Sequence, residues 1–350
     1  MRQGVKKGRA NVVSQLTGRA QGSGNKVALV LGSGGARGYA HIGVIEALEA
    51  RGFEIISIAG CSMGALIGGI YASGKLPQYR DWVCHLDYLD VLKLVDVTWS
   101  PMGAMRANKV MSKLEELVGD RLIEDLPIPV TTVATDLVRQ REVWFQNGPL
   151  LRAIRASIAV PGVITPVHIG DQVLVDGGLL NPLPMMPILA AHEADFVVAV
   201  NVTAHSPQPV TLEELLPQQE SDDQRTELER SRDANIGGWM EEVRATTRRL
   251  WGGLGGGGDD NDDDDETVDL RGKREWGKLD MILESFDITQ AALAKYKVAG
   301  YPPDVLIEIP KTVCSTYEFH RANDLIRLGR HLADQALERR MPSIASDATE

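Results

Sequence analysis

The sequence is short of cysteine and of aromatic residues. In 350 residues it has three cysteines, and Phe, Trp and Tyr together make up 5%. Cys61, Cys84 and Cys314 are widely spaced and include no C-x-x-C pair, which argues against a disulfide framework or a zinc site and fits a reducing, cytoplasmic compartment. Because the chain also lacks an H-E-x-x-H motif, a calcium loop and a G-K-[ST] phosphate loop, we expect no metal and no cofactor.

Features typical of nucleic-acid-binding proteins are missing as well. The chain contains no basic helix and no RNA-binding signature. Its formal net charge is −11, of which the acidic tract at 259–266 contributes −7, so the rest of the chain carries an ordinary −4. We therefore expect no nucleic-acid partner, and the net charge reflects one tract rather than the whole surface.

Apolar segments able to span a membrane are also absent. The stretch 55–74 has twenty residues without a charge, but it includes five glycines and three serines. Its pattern changes from strand-like to helical in the middle, which indicates a buried strand, turn and helix. The basic N-terminal segment 1–25 has no apolar core, so we interpret it as a flexible tail rather than a secretory signal.

The segment 26–69 carries two glycine-rich turns of different kinds. A short apolar strand, Lys26 to Leu31, leads into Gly32-Ser33-Gly34-Gly35-Ala36-Arg37-Gly38 and a helical pattern. A second strand, Ile55 to Ala59, leads into Gly60-Cys61-Ser62-Met63-Gly64 and another helix. The second turn matches the nucleophile elbow G-x-S-x-G in its usual strand, turn and helix context.

Glycines flank the serine of such an elbow for a steric reason. Gly60 and Gly64 remove side chains that would collide with the neighbouring strand and helix, so Ser62 Oγ can stand clear at a helix N-terminus. There the helix dipole favours a developing negative charge, and the amides of Gly34 and Gly35 could add hydrogen-bond donors. The segment therefore predicts a serine nucleophile beside an oxyanion site. We assign the adjacent Cys61 to packing, with its side chain directed away from the serine.

A second candidate site follows a predicted hairpin at 167–178, VHIGDQVLVDGG. Gly170-Asp171 suits a two-residue turn, and the alternating valines before Asp176 place this residue at the end of a strand. Gly177-Gly178 then lets the chain turn closely. Local sequence alone also fits an aspartate that caps its own turn.

Four motifs in order resemble those of the patatin-like phospholipase family, and more narrowly its short bacterial members. Gly34 to Gly38 resembles the oxyanion-hole signature, and Gly60 to Gly64 the nucleophile elbow. Ala156 to Pro161 is similar to the third block, and Asp176 to Gly178 to the D-G-[GA] motif. The similarity covers about 26–202. The resemblance implies a three-layer α/β/α sandwich with a mostly parallel central sheet.

The same resemblance implies a chemistry. It assigns Ser62 as the nucleophile and Asp176 as the general base of a Ser-Asp dyad, and it places the oxyanion hole at Gly34 and Gly35. The supporting positions are Arg37, Gly38, Gly60, Gly64, Gly177 and Gly178. The expected activity is hydrolysis of fatty-acyl esters of phospholipids or lysophospholipids through an acyl-enzyme, as in lipid degradation. Peripheral contact with the inner face of a membrane and a homo-oligomer are further expectations about partners.

Three alternatives stay open at this point. A triad of the α/β-hydrolase type would add a histidine, and His192 and His205 both follow Asp176. An acyltransferase or transacylase would use the same serine. A weakly catalytic regulatory or interaction protein would keep the fold with little turnover, although such a protein has no physical need for an intact serine, aspartate and glycine loop.

Composition divides the rest of the chain. We predict a catalytic domain at 26–202, a flexible acidic and glycine-rich insertion at 203–274, a helix-strand-helix segment at 275–341 that completes the domain, and a loose tail at 342–350. The last helix is predicted to start at about Tyr317.

Within the insertion, residues 231–251 show an amphipathic helical pattern with several arginines. This pattern is typical of a helix that lies at a lipid interface. Docking on the protein's own surface, or on a second subunit, explains the pattern equally well.

Overall fold

The computed structural model describes residues 24–94, 97–100, 103–188, 193–206, 208–216 and 278–340. In these ranges strands and helices alternate along most of the chain. The strands are β1 (Lys26–Leu31), β2 (Glu54–Cys61), β3 (Val97–Ser100), β4 (Gly103–Met105), β5 (Val130–Asp136), β6 (Arg141–Phe145), β7 (Gly162–Ile164), β8 (Val167–Ile169), β9 (Gln172–Asp176), β10 (Phe196–Ala204) and β11 (Val305–Pro310). The helices are α1 (Ala40–Ala50), α2 (Met63–Ala72), α3 (Leu76–Cys84), α4 (Tyr88–Leu94), α5 (Asn108–Val118), α6 (Leu150–Ser157), α7 (Met185–Ile188), α8 (Leu212–Leu215), α9 (Lys278–Gly300) and α10 (Ala322–Arg340).

Eight of the strands form one mixed sheet in the order β11-β10-β1-β2-β5-β9-β8, with β6 also paired to β5. β11, β10, β1, β2 and β5 run parallel to one another. β6 and β9 run antiparallel to β5, and β8 forms a hairpin with β9. β3, β4 and β7 form a separate three-stranded sheet. The mostly parallel sheet confirms the predicted fold class.

Side chains of β1 show how the layers are built. Val27, Leu29 and Leu31 belong to a large apolar cluster that includes residues of α1, α2 and α10. Ala28 and Val30 face the other side and pack in a second cluster with residues of α7 and α9. Because a strand alternates its side chains between two faces, a strand buried on both faces lies between two layers of helices. The result is a three-layer α/β/α arrangement.

Strand order brings the two glycine-rich turns to the same place. β1 and β2 are parallel neighbours, and Leu31 at the end of β1 pairs in register with Gly60 near the end of β2. Parallel strands end at the same edge of a sheet, so the glycine loop after β1 lies beside the turn after β2.

Residues 278–340 pack with residues 24–216 as one compact unit. β11 adds an edge strand next to β10, and Gly43 in α1 lies so close to α10 that a methyl group there would overlap the backbone of Ile326. β10 continues to Ala204, two residues past the predicted domain end, and Thr211 caps α8.

Several predicted segments lie outside the described residues. They are nearly all of the N-terminal tail, most of the insertion including 231–251, and the C-terminal tail. Within the ranges that the structure describes, we find no helix with the length and apolar content that a membrane span requires.

Candidate active site

Ser62 occupies the turn between β2 and α2 in a strained conformation. Its φ of 53° and ψ of −121° lie where non-glycine residues are rare. A methyl group at Gly60 would overlap the Gly64 carbonyl, and one at Gly64 would overlap the carbonyl of Leu31. The two flanking glycines therefore permit a turn that no larger residue would fit, which is the geometry of a nucleophile elbow.

The hydroxyl of Ser157, at the end of α6, makes two hydrogen bonds that hold this turn in place. Its Oγ donates a hydrogen bond to Val133 O (2.6 Å) and accepts one from the Ser62 N–H (2.8 Å). All three groups are buried. The hydroxyl therefore links the strained turn to strand β5, and the Ser62 N–H is unavailable to a ligand. Although Ser157 lies in the motif at 156–161, the motif alone does not show this role.

Asp176 reaches the serine through the register of the sheet. Cys61 pairs with Val133 of β5, and the next residue of β5, Ala134, pairs with Asp176. The aspartate is fully buried. Its Oδ1 accepts the Gly178 N–H (2.7 Å), while Oδ2 has no hydrogen-bond partner among the described residues.

Burial governs the acidity of this carboxyl. Removal from water raises the pKa of Asp176 from 3.8 to about 7, although the nearby Ser62 hydroxyl and the Gly178 N–H both lower it. The serine lies near enough to affect the pKa, yet it forms no hydrogen bond of ordinary geometry with Oδ2. Hydrogen bonds of this kind often tighten only when a ligand binds. A carboxyl that titrates near neutrality can accept a proton from an adjacent hydroxyl and return it.

The side chain of Cys61 packs against the carboxyl of Asp176. Its Sγ lies 4.0 Å from Asp176 Oδ1. Burial, followed by the negative charges of Asp176 and Glu142, raises the pKa of the thiol well above its usual range. Cys61 is therefore a neutral thiol and a poor nucleophile.

The glycine loop presents two free amides. Ser33 N–H donates to Pro182 O (2.8 Å) and Ala36 N–H donates to Thr316 O (2.9 Å). Between them, the N–H groups of Gly34 and Gly35 have no acceptor among the described residues. Both glycines line the same pocket as Ser62. Two unpaired amides in the wall of one pocket can bind an anionic oxygen.

Two buried side chains fix the position of this loop. The Arg37 guanidinium, 2% exposed, donates to Gly34 O (3.1 Å), Lys311 O (3.0 Å) and Asp287 Oδ2 (3.0 Å). Burial lowers the pKa of His41 to about 4, so its neutral ring donates from Nε2 to Gly32 O (2.8 Å). The loop is thereby tied to α1 and to the chain beyond residue 277.

The remaining predicted glycines lie at close contacts. A methyl group at Gly38 would overlap Met63 Cβ, one at Gly35 would overlap Thr316, and one at Gly177 would overlap the Val133 carbonyl. Gly35 also has a φ of 57°, which favours glycine. These positions let the glycine loop, the elbow and the D-G-G turn approach their neighbours.

An apolar pocket of about 210 Å³ opens at these groups. Ser62, Gly34 and Gly35 lie in its wall. Most of the lining is hydrophobic and includes Leu66, Trp82, Leu86, Val110, Val163 and Phe286. Such a lining suits a hydrocarbon chain better than a charged group.

No histidine of the described residues lines this pocket. His205 is exposed in the loop after β10, and His192 lies outside the described residues. His41 bonds to the glycine loop rather than to Asp176. None of the described histidines is therefore placed at this pocket to complete a triad.

Comparison with known proteins shows the family to which this chain belongs. The model of the patatin-like phospholipase family matches residues 29–189. Uncharacterized NTE family proteins of Mycobacterium bovis and Mycobacterium tuberculosis are each 42% identical to this chain over 346 residues, which cover 91% of this chain and 94% of theirs. The chain belongs to the patatin-like phospholipase family. This result confirms the resemblance inferred from the four motifs.

Two further matches have lower sequence identity to this patatin-like chain. The neuropathy target esterase sws of Drosophila melanogaster is 33% identical over 200 residues, which are 54% of this chain and 14% of that protein. The crystal structure of VipD from Legionella pneumophila covers 90% of this chain and 67% of that one, with 15% identity and a TM-score of 0.41.

The buried carboxyl predicts an unusual effect of Asp176→Asn on stability. An acid whose pKa is 3.8 when unfolded and about 7 when folded destabilises the folded state increasingly as the pH rises from about 4 to 7. Because asparagine does not ionise, the variant should gain free energy of unfolding at pH 8, on the order of 4 kcal/mol at most. Urea unfolding at pH 4 to 8 measures the gain, which should vanish near pH 4.

The control for this prediction is Asp171→Asn, which changes an exposed aspartate in the β8–β9 turn. It should alter stability little at pH 8. If the Asp176→Asn and wild-type curves stay parallel from pH 4 to 8, the pKa of Asp176 is not raised.

Ser157→Ala should destabilise the elbow. The change leaves the Ser62 N–H and Val133 O unpaired in the interior, which costs at least about 2 kcal/mol of unfolding free energy. Ser73→Ala is the matched control, because that buried hydroxyl makes a single bond to Ile70 O at a helix end and should cost about 1 kcal/mol. Equal losses in the two variants, measured by urea unfolding, would show that Ser157 does not hold the turn.

Proposed function

We propose that this protein is a serine acyl hydrolase that cleaves fatty-acyl esters of phospholipids or lysophospholipids. The observation that carries the proposal is the position of Ser62. It lies in a strained elbow, near enough to the buried Asp176 to affect the pKa of that carboxyl, and it lines the same apolar pocket as Gly34 and Gly35. The family's description as phospholipases, and the name of the Drosophila esterase, support the same class of substrate.

The proposed mechanism must move the proton of Ser62 and stabilise the negative charge that forms on the ester carbonyl oxygen. Asp176, ionised, accepts the Ser62 proton while Oγ attacks the ester carbonyl carbon. The carbonyl oxygen becomes an oxyanion, which the N–H groups of Gly34 and Gly35 stabilise by about 3 kcal/mol per donor. The tetrahedral intermediate then collapses to an acyl-enzyme, and Asp176 gives its proton to the departing alcohol. Water completes the cycle by the same steps in reverse order.

Geometry explains why an aspartate could serve without a histidine. An ordinary aspartate has a pKa near 3.9 and is too weak a base for a serine hydroxyl. Burial brings the pKa of Asp176 to about 7, which is the range in which a general base works best at neutral pH. Burial also keeps water away from the carboxyl, which strengthens its interaction with the hydroxyl.

Hydrolysis of a short-chain p-nitrophenyl ester and of mixed phospholipid micelles tests this assignment. Ser62→Ala and Asp176→Asn should each lower kcat/KM by at least about a thousandfold on both substrates, whereas His205→Ala should leave it unchanged. In the wild type, kcat/KM should rise with pH and reach half its maximum near pH 7, because Asp176 must be ionised to act as a base. Full activity in Asp176→Asn together with loss in His205→Ala would replace the dyad by a triad.

Arg37→Lys should weaken catalysis without unfolding the protein. A lysine cannot make the several directed bonds by which Arg37 holds Gly34, Lys311 and Asp287. We expect kcat to fall by about tenfold to a hundredfold, with KM for the short ester little changed, because misaligned amides affect the transition state more than binding. Arg51→Lys, at a half-exposed ion pair with Glu338, is the control. A loss of the same size in both variants would contradict this role.

A further inference from the structure

Glu142 of β6 carries a carboxylate that the proposed mechanism does not use. Three side chains donate hydrogen bonds to it. Asn181 Nδ2 (2.8 Å) and Trp144 Nε1 (2.9 Å) donate to Oε2, and Lys297 Nζ of α9 (3.1 Å) donates to Oε1. The side chain of Glu142 is 25% exposed, so the carboxylate lies at the boundary between the interior and the solvent. An ionised acceptor with three donors is held in one position.

Asn181 connects this carboxylate to the turn that carries Asp176. It is fully buried, and its backbone N–H donates to Gly177 O (2.8 Å). Among the described residues its Oδ1 has no hydrogen-bond partner, so the bond from Nδ2 to Glu142 orients the side chain. An ionised carboxylate accepts hydrogen bonds and cannot donate them, which explains why Nδ2 faces it.

The turn between these residues is short and begins at the proposed base. Asp176 Oδ1 accepts the Gly178 N–H (2.7 Å), and Gly177–Leu179 form a 3-10 turn. Asn181 closes the turn through its bond to Gly177 O. Because only a few residues separate the two ends, a shift of Asn181 would move the backbone that carries the Asp176 carboxyl.

Two further observations place Glu142 close to the strand end that carries Asp176. The negative charge of Glu142 raises the pKa of Cys61, after the larger effects of burial and of Asp176, and Cys61 Sγ lies 4.0 Å from Asp176 Oδ1. In the sheet, Glu142 pairs with Thr135 of β5, which also pairs with Val175, the residue before Asp176. Glu142 is therefore a near neighbour of the site although it belongs to another strand.

We propose that Glu142 is a positioning residue for the base: through Asn181 it holds the turn after β9, and with it the Asp176 carboxyl, where that carboxyl can exchange a proton with Ser62. This inference rests on the proposed function. Glu142 and Asn181 are not among the described residues that line the pocket, so they act on the reaction through Asp176. A general base must lie within hydrogen-bond reach of the hydroxyl, and a displacement of about 1 Å can cost about a hundredfold in rate.

The ion pair with Lys297 is a separate interaction of the same carboxylate. It uses the other oxygen, Oε1, and Lys297 is 23% exposed, so water can take the place of the ammonium group. Loss of the lysine should therefore leave the bond to Asn181 in place. If Glu142 only stabilised the fold, each of its partners would contribute, whereas positioning of the base depends on the bond to Asn181.

Steady-state hydrolysis of a short-chain p-nitrophenyl ester by Glu142→Ala and by Asn181→Leu tests the proposal. The two variants remove opposite ends of one hydrogen bond, and leucine replaces the buried amide by an apolar group of similar size. We expect kcat to fall by about tenfold to a hundredfold in both, with KM little changed, because the pocket wall stays intact. The double variant should lose no more than either single variant.

Glu142→Gln and Lys297→Met are the matched controls. Glutamine keeps an oxygen that can accept from Asn181, so it should restore kcat to within about threefold of the wild type. Methionine removes the ion pair but not the bond to Asn181, so kcat should again stay within about threefold. Thermal unfolding shows whether each variant is folded at the assay temperature. If Glu142→Ala does not fold, Asn181→Leu and the two controls provide the same comparison.

The outcomes distinguish this inference from the proposed function. If the wild type shows Ser62-dependent hydrolysis and Asn181→Leu keeps its kcat, Glu142 does not position the base and the hydrolase stands. Losses that add in the double variant would also overturn the inference, because two ends of one bond cannot act independently. So would a loss in Glu142→Gln or Lys297→Met as large as that in Glu142→Ala. If the wild type shows no Ser62-dependent hydrolysis of the ester, both proposals fail.

Discussion

Burial of one carboxyl group is the constraint on which this site depends. Asp176 lies at the end of β9, where desolvation raises its pKa to about 7 and its Oδ2 has no partner among the described residues. The pairing of β9 with β5 holds this carboxyl in the interior, where it is fully buried. The same burial turns a weak base into one suited to neutral pH. The burial that gives Asp176 the basicity required by the proposed chemistry therefore also lowers the free energy of unfolding.

The second constraint is that the site is assembled from distant parts of the chain. The family model matches residues 29–189, which include the elbow, the D-G-G turn and the glycine loop. Residues beyond 277 then fix the loop through Asp287 and Thr316 and supply Gln290 to the pocket wall. The C-terminal segment is therefore part of the candidate active site as well as of the sheet. α9 thus lines the pocket although it carries none of the four family motifs.

The elements that depend on residues close together in the sequence could be predicted from the sequence. The elbow at Ser62 and the β8–β9 hairpin depend on glycines and alternation that neighbouring residues show directly. Strand and helix ends differ from the predicted ones. β2 spans Glu54–Cys61 rather than Ile55 to Ala59, and α10 starts at Ala322, after a 3-10 turn, rather than at about Tyr317. Periodicity shows a buried face but not where hydrogen bonding stops. The bond between Ser157 and Ser62 joins residues 95 positions apart, and it follows from packing that no local pattern displays. The partners of Arg37, and those of Glu142, were unpredictable for the same reason.

The central claim is that a buried aspartate, titrating near neutral pH, activates the serine beside it. Its most direct test is the rate at which a fluorophosphonate labels Ser62 as the pH is varied, because this reaction needs the nucleophile and its base but no knowledge of the substrate. The account predicts a single adduct on Ser62 by peptide mass spectrometry, with a labelling rate that rises through pH 7 and is nearly abolished in Asp176→Asn. A rate that does not change between pH 5 and 9, or that survives in Asp176→Asn, would contradict it.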